Sequence, residues 1–310
     1  MSYTGPEFDP HRPPSRRSPL RRPLTVALAA LVPGALLGWG VYAAVGAPGG
    51  GDDRAASPAT ATRPAAGSAA PSDDAKDPAA TEPAAPAALK GKVVVIDPGH
   101  NPANFQHPTE INRKVDIGTN WKECDTTGTA TDDGYAEADF TLDVAHRLRD
   151  LLRAQGATVK LTQDGDREYG PCVDERARIG NEAGADAAIS IHADGSAAGH
   201  RGYHVILPGA VHQGAADTRA VVAPSADLGE RVADGFGRRT GTAPANYLGD
   251  GTGLVTRTDL GGLNLSKVPK VFLECGNMRD AADEELLTSG AWRQKAAQGI
   301  SEGIVSFLRG

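Results

Sequence analysis

The chain has 310 residues, enough for one large or two ordinary domains, and carries a formal net charge of −7. No basic face is evident, which argues against a dedicated nucleic-acid binder. The one cluster of positive charge is Arg12, Arg16, Arg17, Arg21 and Arg22, within a short N-terminal tail, residues 1–23.

Residues 24–46, LTVALAALVPGALLGWGVYAAVG, contain no charge. A bilayer-crossing helix needs about 20 apolar residues, so this run is long enough. Arginines before it place the N-terminus inside and everything after residue 47 outside. The segment reads as an uncleaved signal anchor. A cleaved secretion signal is the alternative, although Pro48 follows the best small-residue cleavage site, and "SRRSPLRR" loosely suggests a twin-arginine export signal. Residues 47–89 are dominated by Ala, Pro, Ser, Thr, Gly and Asp and lack aromatic side chains. Such a stretch buries too little apolar surface to offset chain entropy and is expected to be a disordered spacer with a reach on the order of 35 Å. The folded domain is expected over residues 90–310.

Within that domain, strand-length apolar runs alternate with helical periods. "KVVVI" (92–96) predicts a strand ending in Asp97, Pro98, Gly99 and His100. Residues 101–134 are polar and without clear period, and an irregular insertion straight after a strand end is more often functional than filler. Phe140, Val144, Leu148, Leu151 and Leu152 form one helical stripe over 137–155, with Gly156 as its stop. "TVKLT" (158–162) predicts a strand, and Asp174 is placed to cap a helix running to about Ala183. "AAISI" (187–191) and "YHVIL" (203–207) predict strands. Ser225 is placed to cap a helix bearing Leu228, Val232 and Phe236. "KVFLE" (270–274) predicts a strand, and Trp292, Ala296, Ile300, Ile304 and Phe307 mark a last helix. The alternation predicts a single α/β domain, a twisted, mostly parallel sheet with helices on both faces.

Three cysteines are present. Cys124 and Cys172 stand in polar, loop-like segments and are paired here as a disulfide, with three free thiols as the alternative. Cys275 ends an apolar run and reads as a buried apolar residue.

Ligands of an open parallel sheet sit at the carboxyl ends of its strands. His100, His192 and Glu274 stand at three such ends, and Glu137 opens a helix that faces the same rim. Two imidazoles and one carboxylate make a catalytic zinc site with an open position, and a second carboxylate can then carry the proton to a leaving amine. Each residue alone has a bland reading: a loop histidine, or a glutamate favoured by the helix dipole. Glu274 is the least bland, because a carboxylate closing an apolar strand is costly to bury unpartnered. His107, His146, His200, His204 and His212 take the bland reading, His146 as a solvated residue off its helix's apolar stripe; His204 lies within a strand, and nothing in the sequence decides whether it lines a pocket.

"VVVIDPGHN", the glutamate before "FTLDVAHRLRDLLRAQGATVKLT", "RARIGNEAGADAAISIHAD" and "VPKVFLECGNM" together resemble the zinc-dependent N-acetylmuramoyl-L-alanine amidases, in order and over residues 91–308. The insertion is similar to the actinobacterial, mycobacterial-type branch, which has a similar cysteine pair. The resemblance implies one Zn2+ held by His100, Glu137 and His192, Glu274 as the catalytic carboxylate, and a structural role for Arg176. It implies cleavage of the amide between the lactyl group of N-acetylmuramic acid and L-alanine. The expected substrate is then peptidoglycan or its muropeptide fragments, met by a monomer held at the outer side of the cell membrane through the N-terminal helix, or secreted if that helix is cleaved. Two further readings share these residues: another zinc peptidase acting within the stem peptide, and a non-catalytic peptidoglycan-binding module.

Overall fold

The computed structural model describes residues 88–310. The expected anchor (24–46) and nearly all of the expected spacer (47–89) lie outside them. No helix among the described residues is long and apolar enough to cross a membrane.

The chain enters through β1 (Val93–Pro98). The insertion that follows carries a 3-10 turn, the short helix α1 (Pro108–Ile111) and a small hairpin, β2 (Lys114–Asp116) with β3 (Trp121–Glu123). Then come α2 (Glu137–Ala154), β4 (Thr158–Leu161), α3 (Val173–Glu182), β5 (Ala187–Asp194) and β6 (His204–Pro208). A two-residue ribbon, β7 (His212–Gln213) with β8 (Ala216–Asp217), leads into α4 (Val222–Thr240). The chain finishes through β9 (Leu254–Arg257), α5 (Gly261–Asn264), β10 (Lys270–Asn277), α6 (Ala281–Thr288) and α7 (Gly290–Arg309).

The main sheet has six strands in the order β4-β1-β5-β10-β6-β9. β4, β1, β5 and β10 are mutually parallel, β6 runs antiparallel to β10, and β9 runs parallel to β6. The sheet is therefore mixed but mostly parallel, and its four-strand parallel part matches the sequence expectation. β9 was not anticipated; "LVTR" is short and has no strong apolar pattern to announce it.

The sheet's two faces differ in chemistry. Val94 and Ile96 of β1, Ile189 and Ile191 of β5, and Val271, Leu273 and Cys275 of β10 enter the main core under α2, α4 and α7. Val95 and Ala188 point the other way, into a small cluster with Ile179 of α3. Because strand side chains alternate faces, Asp97, Ser190, Lys270, Phe272 and Glu274 share this second face, which α3, α5 and the insertion cover.

Two expected caps are not formed. α3 starts at Val173 with Cys172 as its N-cap, so Asp174 lies in the first turn. α4 starts before Ser225, whose buried Oγ instead accepts from the Lys270 amide at 3.1 Å. At Ser225 a tertiary partner takes the hydroxyl that a cap would use; at Asp174 the helix begins one residue early, its Val173 amide donating to the Cys124 carbonyl at 2.7 Å. The other helix ends behave as expected: Gly156 follows α2 with φ of 89°, a conformation that favours glycine.

α4 and α7 meet backbone to backbone. A Cβ on Gly299 would stand 2.6 Å from the Gly235 carbonyl oxygen, and one on Gly235 would stand 2.4 Å from the Gly299 oxygen. Glycine in a helix interior normally costs about 1 kcal/mol relative to alanine, so the sign of a substitution here tests the contact. Gly299→Ala is expected to destabilise the domain by about 1–3 kcal/mol through overpacking, read by urea denaturation. A variant as stable as the parent, or more so, would show that the helices separate freely.

Candidate active site

β1 delivers His100 to the carboxyl rim of the sheet in a left-handed conformation, φ 61°, that a non-glycine residue holds only under constraint. The constraint is visible. The His100 carbonyl accepts from Arg176 Nη2 at 3.0 Å and from Gln163 Nε2 at 3.1 Å. Upstream, the Gly99 carbonyl accepts from Thr141 Oγ1 of α2 at 2.7 Å.

Glu137, the first residue of α2, is buried and lies between the two histidines. Its Oε2 is 3.1 Å from His100 Nε2 and its Oε1 is 2.9 Å from His192 Nδ1. Backbone amides complete its shell: Thr129 N donates to Oε2 at 2.9 Å and Ala193 N to Oε1 at 3.2 Å. One ligand atom from each of His100, Glu137 and His192 falls within 4.8 Å of the others. The structure thus brings together the three residues singled out from sequence. Glu274 stands beside His192 on the neighbouring strand, where the register pairs the two.

Steric confinement fixes the rings. His192 stacks on Phe272 with ring centres 3.9 Å apart. A Cβ on Gly99 would fall 2.3 Å from the His192 ring, and one on Gly128 would fall 2.8 Å from both Glu137 Oε2 and His100 Cδ2. Main chain therefore presses directly on the donors from two sides.

Behind the donors lies a buried charge network that sequence reasoning missed, apart from the structural reading of Arg176. Asp97 accepts from Thr162 and Arg176 through Oδ1, at 2.7 and 2.8 Å, and from Lys270 and Ser190 through Oδ2, at 2.8 and 3.0 Å. Arg176 also donates to Asp125 Oδ2 at 2.8 Å and to the carbonyls of Pro98 and Pro171. Asp125 closes the circuit, its Oδ1 lying 3.4 Å from His100 Nδ1. Outer carboxylates of this kind orient a ligating imidazole and fix its tautomer. One signal for the network was present in the sequence: Asp97 closes an apolar strand, the same feature that drew attention to Glu274.

Burial opposes protonation of His100, but the Glu137 and Asp125 carboxylates more than reverse it and raise its pKa to about 10. Burial dominates at His192 and lowers its pKa. For Glu137, burial alone would raise the carboxyl pKa, but the two imidazoles hold it well below the ordinary range. Glu274 behaves in the opposite way: burial and the nearby Glu137 and Asp194 carboxylates push its pKa well above the ordinary value. Two carboxyls in one site are thus pushed in opposite directions by their surroundings.

The cleft above these residues has a volume of about 440 Å3. Thr126, Gly128 and Thr129 of the insertion form one wall, Lys122 and Asp259 stand at the rim, and Phe272 and Glu274 lie on the floor. The insertion is held in place by the Cys124–Cys172 disulfide, formed as expected, and by two asparagines: Asn104 donates to Thr126 O at 2.7 Å, and Asn101 to Gly170 O at 3.1 Å. Cys275 is free and buried. Among the histidines given a bland reading, His146 pairs with Asp164 at the surface and His107 packs on Tyr169.

The network also predicts how stability depends on acidity. Burial raises the Asp97 and Asp125 pKa values, but Lys270 and Arg176 at the first, and Arg176 and His100 at the second, depress both far below the ordinary range. A depressed folded-state pKa gives stability that is complete above the unfolded value, about 3.9, and lost as pH falls below it. Thermal unfolding of the parent should therefore drop steeply between about pH 4 and pH 2. Asp97→Asn should be less stable at pH 7 and decline more shallowly in that window; equal slopes would rule out the assignment.

The likeness to known proteins agrees with this geometry. Residues 94–306 match the family model described as N-acetylmuramoyl-L-alanine amidase. The chain is 40% identical over 227 residues to the N-acetylmuramoyl-L-alanine amidase Rv3717 of Mycobacterium tuberculosis, covering 73% of this chain and 90% of the relative. A crystal structure of an N-acetylmuramyl-L-alanine amidase from Mycobacterium smegmatis superposes with a TM-score of 0.65 at 40% identity, over 71% of this chain and 98% of that one. The corresponding amidase of Mycobacterium abscessus gives 0.64 at 40% identity, over 71% and 100%. By sequence, by fold and by the residues at the rim of its sheet, the chain belongs to the N-acetylmuramoyl-L-alanine amidases.

Proposed function

We propose that the cleft cleaves the lactyl–L-alanine amide of peptidoglycan by zinc-dependent hydrolysis, with His100, Glu137 and His192 as the metal ligands and Glu274 as the acid–base residue. The donor set supports zinc: two imidazoles and a carboxylate converge, with Asp125 behind one imidazole in the orienting position. Bound there, zinc would supply Lewis-acid polarisation of the amide carbonyl and lower the pKa of water. The observation that carries the reading is Glu274, a half-buried carboxyl with a raised pKa one strand away from the donors and not among them.

Glu274 takes the proton of the attacking water as the new C–O bond forms. It returns that proton to the alanine nitrogen as the C–N bond breaks, so the carboxyl ends as it began. Glu137, with a depressed pKa, stays anionic throughout and serves the cation rather than the proton. The Asp97–Arg176–Asp125 circuit keeps His100 aimed while this happens.

Glu274→Gln should retain its fold and zinc stoichiometry and lose at least about 100-fold in kcat. Mass spectrometry of digested muropeptides should show a new free amine on the first alanine for the parent, abolished by chelation and restored by zinc. Cleavage inside the stem peptide would establish a peptidase instead, and full activity in Glu274→Gln would overturn the mechanism.

We further propose that residues 24–46 anchor the enzyme in the membrane and 47–89 act as spacer, leaving the catalytic domain outside. The arginine-flanked uncharged run supports this. The full chain should fractionate with membranes and be shaved from intact spheroplasts by added protease. Recovery in the culture medium would instead establish a cleaved signal.

A further inference from the structure

β5, β10 and β6 lie side by side, and their registers set Glu274 opposite His192 on one flank and opposite His204 on the other. Residues directly opposed on neighbouring strands point to the same face, so His192, Glu274 and His204 form one row beneath the cleft. His192 commits its Nδ1 to Glu137. His204 has no part in the site described above, yet it is only 2% exposed.

What covers His204 is a small aromatic stack. Tyr247 packs edge-on against it, ring centres 5.9 Å apart, and stacks flat on His200 at 4.8 Å. The Tyr247 hydroxyl donates to Asp194 Oδ2 at 2.7 Å, and Asp194 lines the cleft. Burial outweighs the pull of Asp194 and favours the neutral imidazole.

Two atoms in this row are buried and have no hydrogen-bond partner among the described residues: His204 Nδ1 and Glu274 Oε2. Directly opposed residues hold their Cβ atoms about 4.5–5.5 Å apart, so the two groups are neighbours that do not pair directly. Buried polar atoms left without a protein partner are commonly bridged by a single ordered water, which can accept or donate at each end.

We propose that His204 is a positioning residue for Glu274. It shares a bridging water with Oε2, and this pins the buried oxygen of the carboxyl so that Oε1 faces the cleft. The inference rests on Glu274 being the acid–base residue. The proton that Glu274 takes from water and returns to the amine travels on the cleft-side oxygen. His204 neither gains nor loses a proton; it fixes the carboxyl's orientation.

The zinc-loaded protein, assayed on a defined muropeptide, tests this. His204→Phe fills the space without a ring nitrogen, whereas His204→Asn places a hydrogen-bonding atom near the position of Nδ1. His204→Phe should lower kcat by about tenfold or more, the scale typical of lost orienting partners, with KM within about twofold and with zinc content and Tm close to the parent's. His204→Asn should recover most of the rate. The proposal is overturned if His204→Phe turns over like the parent, if His204→Asn is as slow as His204→Phe, or if the loss follows Tm or zinc content. Glu274→Gln, run in parallel, separates the two levels: inactive, it upholds the role on which the inference rests; active, it overturns both.

Discussion

The Arg176 guanidinium is the interaction on which the site depends. It is buried between Asp97, under the sheet, and Asp125, in the insertion, and it also holds the carbonyls of Pro98 and His100. A buried cation with one partner is a liability; with two carboxylates and several carbonyls its hydrogen bonds are satisfied and its desolvation is offset. The same side chain thereby joins three segments distant in sequence: the end of β1, the start of α3 and the loop after Cys124. His100 keeps its left-handed backbone because two of these bonds act on its own carbonyl and on the one two residues before it.

The sheet gives that network somewhere to sit. Alternation along β10 sends Val271, Leu273 and Cys275 into an aliphatic core and turns Lys270, Phe272 and Glu274 to the opposite face. One strand thus serves both folding and chemistry. The aliphatic face is sealed by α2, α4 and α7. On the opposite side two buried cations (Arg176 and Lys270), four carboxyls (Asp97, Asp125, Glu137 and Glu274) and two imidazoles (His100 and His192) gather around one cleft.

Most of this was legible in the sequence, for a physical reason. The strands at 92–96, 187–191 and 270–274 announce themselves by apolar runs, and the rule that ligands gather at strand carboxyl ends converts three boundaries into His100, His192 and Glu274. What was not legible depends on pairing across long separations. The antiparallel β6, the short β9, the misplaced caps at Asp174 and Ser225 and the partners of Asp97 are all set by tertiary neighbours, which no local window contains. The insertion looked formless for the same reason: its order comes from a disulfide, two asparagines and Asp125 rather than from any period.

Gly99 and Gly128 carry one more consequence. Because bare backbone presses on the His192 ring on one side and on His100 and Glu137 on the other, the donor side chains have little room to change rotamer. Their conformational entropy is surrendered when the domain folds, not when a cation arrives. Under the proposed zinc reading, a cation would meet three donors already converged, and the free energy of coordination would not be spent on ordering them.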